Sequence, residues 1–149
     1  MTGGNVLITA YNSDENGGEA DTDVTVHMDG RAFTVPAGWR GRRVLLHFGA
    51  VSRLAVVTLN GRELCRHDNA YLPFCVDVTD ALREGENELR VSAINDLDPR
   101  YPWGKQSRKR GGMWYTPCSG IWQTVWLEPV PEGYIRRLKI RTGGEWVED

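Results

Sequence analysis

The stretch RLAVVTLNGREL, residues 53–64, dictates more about this chain than any other. Asn60 and Gly61 stand between two runs that end in apolar residues. Asparagine tolerates a positive φ and glycine adopts one freely, so the pair closes a two-residue hairpin turn. Along the first arm, Leu54 and Val56 share one face, and Ala55, Val57 and Leu59 share the other. Both faces are apolar, which predicts a strand covered on both sides.

Helical periodicity is almost absent elsewhere. Short apolar runs bounded by turn residues recur at 5–10, 31–36, 42–51, 72–79, 87–95, 119–129 and 134–140. Strands at this spacing predict an all-β fold, a β-sandwich in one domain. In 74–79, Phe74, Val76 and Val78 oppose Cys75, Asp77 and Thr79, so one face meets the core. In 87–94, Leu89, Val91 and Ala93 do the same against Arg90 and Ser92. In 134–141, Ile135, Arg137, Lys139 and Arg141 share a side, which predicts an outer strand. A short helical turn is expected after Thr79, read as its N-cap, with Gly85 as the stop.

Size and charge remove whole classes of function. A chain of 149 residues is one domain's length and too short for a (β/α)₈ barrel, which needs about 250. A net charge of -2 gives no general attraction to nucleic acid or anionic membrane, and the basic cluster KQSRKR (105–110) stands alone. No apolar run approaches the roughly 18 residues of a membrane helix. The N-terminus has no basic n-region and no long apolar h-region, which predicts a cytoplasmic chain. Three cysteines, Cys65, Cys75 and Cys118, without a CxxC pair, read as buried inert thiols. The acidic stretch 11–23 breaks the spacing of a Ca²⁺ loop, so it reads as a solvated loop, and no metal or cofactor is implied.

The chemistry-bearing residues are few. His27, His47 and His67 form no nucleophile or zinc motif. His47 falls in an apolar strand, while His67, in CRHDNAYLPF, is read as a loop residue able to donate to a ligand. The stretch 94–117 carries no clear element, and a loop that long in a compact domain is a candidate site. It holds Tyr101, Trp103, Lys105, Gln106, Trp114 and Tyr115. Aromatic faces stack on the C–H faces of sugars, and amide and ammonium donors read hydroxyls, so saccharide is the expected ligand. Trp122 and Trp126 alternate about Thr124 and are read as core or inter-domain packing.

FTVPAGWRGRRVLLHFGAV, LNGREL, DNAYLPFCVDVTDALREGENELRV, GKQ and GGMWYTPCSGIWQTVWLEPVPEGYIRRLKI follow one another in order. Together they resemble the N-terminal sugar-binding domain of glycoside hydrolase family 2. The resemblance spans 31–141 and fits 1–30 less well, a first strand and acidic loop of the same domain; 142–149 would begin a linker. It implies a jelly-roll β-sandwich, galactose-binding-domain-like, followed in whole members by an immunoglobulin-like domain and a catalytic (β/α)₈ barrel. The catalytic acids would lie on that barrel, so this chain alone is expected to be no enzyme. It would partner the barrel, with aromatics left exposed that favour self-association. Trp103, Lys105, Gln106, Trp114 and Tyr115 would line the sugar pocket of the full enzyme. In the galactosidase and glucuronidase branches an aspartate precedes the Ser-Gly-Ile core by about five residues; here that position is Trp114. A free-standing lectin-like module and a purely structural sandwich are the alternatives.

Overall fold

The Asn60-Gly61 turn forms as the sequence predicts, with φ of 54° and 81°. In a computed structural model, which describes residues 6–8, 24–27, 31–102, 104–107, 111–115 and 120–140 and side chains from residue 31 onward, eleven strands make the frame. In chain order they are β1 (Val6–Ile8), β2 (Val24–His27), β3 (Arg31–Thr34), β4 (Arg43–Phe48), β5 (Val51–Ser52) and β6 (Leu54–Leu59). Then follow β7 (Arg62–Asp68), β8 (Phe74–Asp77), β9 (Glu86–Asn95), β10 (Gly120–Ile121) and β11 (Val125–Val130).

One sheet has the order β1-β11-β4-β8; the other runs β2-β9-β6-β7, with β3 also on β9, and β5 and β10 form a small pair. Every pairing is antiparallel. β2 and β3 lie along one edge of β9, pairing His27 with Ser92 and Arg31 with Leu89. The 24–27 strand was not among the runs expected from sequence.

The core lies between the sheets. Val44, Leu46, Phe48, Val125 and Leu127 meet Ala55, Val57, Leu59, Leu89, Val91 and Ala93 there, all buried. Each large aliphatic side chain buried this way contributes about 1.5–3 kcal/mol. Phe48 stacks on Phe74 with centroids 4.6 Å apart, extending the core to the edge strand β8. Trp39, held in a 3-10 turn over Ala37–Trp39, closes the core and is the one tryptophan among the described residues that is buried.

A polar knot ties the hairpin to the loop before β9. Asn60 Nδ2 donates to Ala81 O and to Asn87 Oδ1, both at 2.8 Å, while Asn60 Oδ1 accepts from Glu88 N–H. Asn87 is fully buried; its Oδ1 also accepts from Arg83 N–H, and its Nδ2 donates to Arg83 O and Gly85 O. A buried amide is tolerable only when satisfied in this way.

Three expectations need correction, and a fourth is narrowed. Residues 134–140 join no sheet; Ile135, Leu138 and Ile140 are exposed instead of packing as an outer strand. Trp122, read as core or inter-domain packing, is 48% exposed just past β10, which excludes the core alternative. Thr79 lies inside a 3-10 turn rather than capping it; its hydroxyl accepts from Val44 N–H, and its own N–H donates to Asp77 Oδ1. Cys75 is exposed on β8, so it is not a buried thiol.

Asn87→Ala is expected to destabilise the chain by about 2–4 kcal/mol, because it strands the Arg83 N–H and the Asn60 amide. Urea unfolding of the two proteins, with m unchanged, checks this.

Candidate functional site

The loops that join the strands at one end of the sandwich carry the exposed aromatics. These are the turns 49–53 and 69–73 and the long connection from β9 to β11. β5 and β10 clamp that connection: Gly120 pairs with Ser52, Ile121 with Val51, and Trp122 N–H donates to Ala50 O. The clamp closes tightly at Gly49, whose N–H donates to Thr124 O at 2.8 Å. A Cβ at Gly49 would lie 2.6 Å from Gln123 Cβ, so only glycine fits.

Held by this clamp, Trp122 projects from the core. Its indole Nε1 donates to Ala70 O at 2.8 Å, and its ring meets Tyr71 edge-on at 6.0 Å. The Tyr71 hydroxyl is 3.4 Å from where a Cβ on Gly104 would be. Next to Gly104, Lys105 O accepts from Tyr115 N–H at 2.7 Å, and Ser107 N–H donates to Tyr115 O at 3.0 Å. Trp114 N–H in turn donates to Gly111 O. Tyr71 therefore lies between Trp122, which its ring meets, and Gly104, beside which its hydroxyl sits.

Four of the six site residues expected from sequence come together there. Gln106 and Tyr115 form a parallel bridge, with Lys105 and Trp114 beside them. Trp114 is 46% and Tyr115 66% exposed. Trp103 lies outside the described residues. His67 is displaced from the expected loop: it sits on β7, opposite Ala55 of β6, so its ring points to the interior. There it stacks on Phe74 with centroids 4.2 Å apart.

Two neighbours were missed from sequence. Tyr71 is one. Arg53 is the other: its guanidinium lies 4.0 Å from the Tyr101 ring centroid and 3.3 Å from Asp96 Oδ2. Tyr101 is further held by its N–H donating to Asp98 O. Arg100 grips Asp98 through its side chain and backbone N–H, and those bonds draw the Asp98 carboxyl down to about 2.

Among the described residues, a thiol and an imidazole meet on the outer face of the β1-β11-β4-β8 sheet, where Cys75 Sγ is 3.9 Å from His47 Nε2. Burial first, then the charges of Glu128 and Asp77, push that thiol up, so it stays protonated. Glu128 Oε2 also takes the same Nε2 at 2.9 Å, so the imidazole is not set to act as the thiol's base. Among the described residues no group of three metal-ligating side chains converges, and no helix is long and apolar enough to cross a membrane.

An antiparallel two-sheet sandwich with an aromatic, loop-built end is the architecture of a galactose-binding-like domain. The profile of the glycosyl hydrolase 2 galactose-binding domain-like family matches residues 22–147. The chain belongs to that family. It is 32% identical over 105 residues to a β-glucuronidase of Paenibacillus borealis, covering 70% of this chain and 15% of that enzyme. It is 29% identical over 105 residues to a β-galactosidase of Thermoanaerobacter pseudethanolicus, covering 70% of this chain and 14% of that enzyme. A solved β-glucuronidase from an uncultured Clostridium superposes with a TM-score of 0.67 at 30% identity, over 92% of this chain and 25% of that one. The chain thus matches only a small part of the length of these relatives, and their names span more than one sugar.

If Arg100 holds Asp98 as described, the Asp98 carboxyl titrates with a midpoint of about 2 in a carboxyl NMR experiment, and Arg100→Ala returns it toward 3.8. A depressed carboxylate stabilises the fold above its unfolded value. That contribution is lost as pH falls from about 4 through about 2.

Proposed function

We propose that this chain is the non-catalytic domain of a family 2 glycoside hydrolase. In this reading it docks on the catalytic part and lends its aromatic loop end to the sugar site. The observation that carries the reading is the pairing of Lys105–Ser107 with Tyr115, which gathers Trp114, Tyr115, Lys105 and Gln106 at the end that also holds Tyr71 and Trp122. Indole and phenol rings offer flat apolar surface to a pyranose, and the Lys105 ammonium and Gln106 amide supply hydroxyl-reading groups. The chemistry that cleaves the bond belongs, in this proposal, to acids outside these 149 residues, and the chain alone has no glycosidase activity. The sugar itself is left open by an aromatic Trp114 where the resemblance would place an acid in two known branches.

A docking role is favoured over a free-standing lectin by the exit segment. Ile135, Leu138 and Ile140 are 80%, 74% and 78% exposed, and 134–140 has no sheet partner. Isolated apolar side chains on a surface need no explanation, but three in seven residues of unpaired, extended chain mark an interaction surface. The same residues would drive self-association of the domain on its own.

In the complete enzyme, Trp114→Ala is expected to lower kcat/KM about tenfold or more, the loss of one aromatic contact worth ~1.5 kcal/mol, with Tm unchanged. Unaltered kcat/KM on every accepted glycoside would contradict the reading.

A further inference from the structure

The outer face of the β1-β11-β4-β8 sheet is more elaborate than a solvated sheet face requires. Such faces carry scattered polar side chains. Here β4 presents Arg43, Leu45 and His47, β8 presents Cys75 and Asp77, and β11 presents Trp126 and Glu128, while the residues between them turn to the core. Past β11, residues 131–136 form a wall beside this face, making a groove of about 820 Å³. That lies within the roughly 300–1,000 Å³ of small-molecule sites.

We propose that this groove is a second saccharide site, separate from the aromatic loop end, and that it takes a neutral mono- or disaccharide. Among its lining are an indole and an imidazole from paired positions of neighbouring strands, stacked side by side: Trp126 and His47 have centroids 4.7 Å apart and planes 4° from parallel. Around them stand two carboxylates, each beside a nitrogen donor. Glu128 Oε2 is 2.9 Å from His47 Nε2, and Asp77 Oδ2 is 3.4 Å from Arg43 Nε. Arg136 adds a further donor on the wall.

Three features select the ligand. Sugar hydroxyls both donate and accept, so they need carboxylate acceptors and guanidinium or imidazole donors close together, beside an aromatic surface. The groove supplies that combination. Its fixed charges are balanced, Arg43 and Arg136 against Asp77 and Glu128, so it does not select an anion. Finally, the Arg43–Asp77 pair is about half-exposed, and exposed pairs add little to folding stability. Their placement around Trp126 in a concavity serves recognition better than it serves the fold. Trp126, read from sequence as packing, is on this account a ligand-facing residue.

The test is a two-dimensional NMR titration of the ¹⁵N-labelled chain with cellobiose, xylobiose, lactose and mannobiose. The groove site predicts that at least one of them shifts the Trp126 indole N–H and the amides of His47, Cys75 and Glu128. Glu128→Gln is expected to weaken that binding about tenfold, as for the loss of one charge-assisted hydrogen bond. Trp126→Ala should abolish it; if that variant does not fold, Glu128→Gln carries the test alone. Shifts confined to the Trp114 and Trp122 indoles would place sugar at the loop end only and overturn the groove site. No shift with any of the four sugars would overturn it as well. Neither result bears on the kcat/KM test of the loop end, which is made in the complete enzyme.

Discussion

Everything in this molecule depends on how little room lies between its two sheets. Facing sheets in a sandwich pack about 10 Å apart. Here that space is filled by Val57, Val91, Leu46, Leu127, Ala55 and Ala93, with Phe48 as the largest fully buried side chain. Small and branched residues from both layers fill the core, and Trp39 is the one described tryptophan buried with them. The remaining described tryptophans are therefore displaced to the outside. Trp114 and Trp122 go to the loop end, and Trp126 goes to the outer sheet face. The concentration of indoles in 114–126 is thus a consequence of a thin core, and it leaves aromatic surface where other molecules can reach it.

What was legible in the sequence was what local chemistry decides. Asn60-Gly61 closes a turn because of the φ values that only such residues adopt readily, and the structure has those values. The one-sided alternation of β8 and β9 predicts their core faces because a strand has a period of two. The family resemblance, carried by the segments from FTVPAGWRG to GYIRRLKI, anticipated the all-β fold that the pairing pattern and the family profile bear out.

What was illegible depended on distant partners. Trp122 reads as core or inter-domain packing, and only the pairing of β10 with β5 and the bond of its indole to Ala70 O show that it is half-exposed at the loop end. His67 sits among Arg66, Asp68 and Asn69, which read as loop; only pairing with β6 makes it strand and directs it inward. YIRRLKI has the apolar–cationic pattern of a strand and yet pairs with nothing here, since a strand also needs a neighbour. Within the site, Lys105 and Gln106 lie far enough from Trp114 and Tyr115 in sequence that spacing alone could not join them; two backbone hydrogen bonds do. Arg53 and Tyr71 were missed because their importance comes from Tyr101, Asp96 and Trp122, which are contributed by other loops.

The central claim is that the aromatic loop end touches the sugar in the working enzyme. The most direct measurement is photo-cross-linking of the complete enzyme with a glycoside inhibitor carrying a diazirine on the sugar, followed by peptide mapping. The account predicts covalent label on the peptides spanning 104–107 and 111–115. Label found only on peptides outside these 149 residues would contradict it.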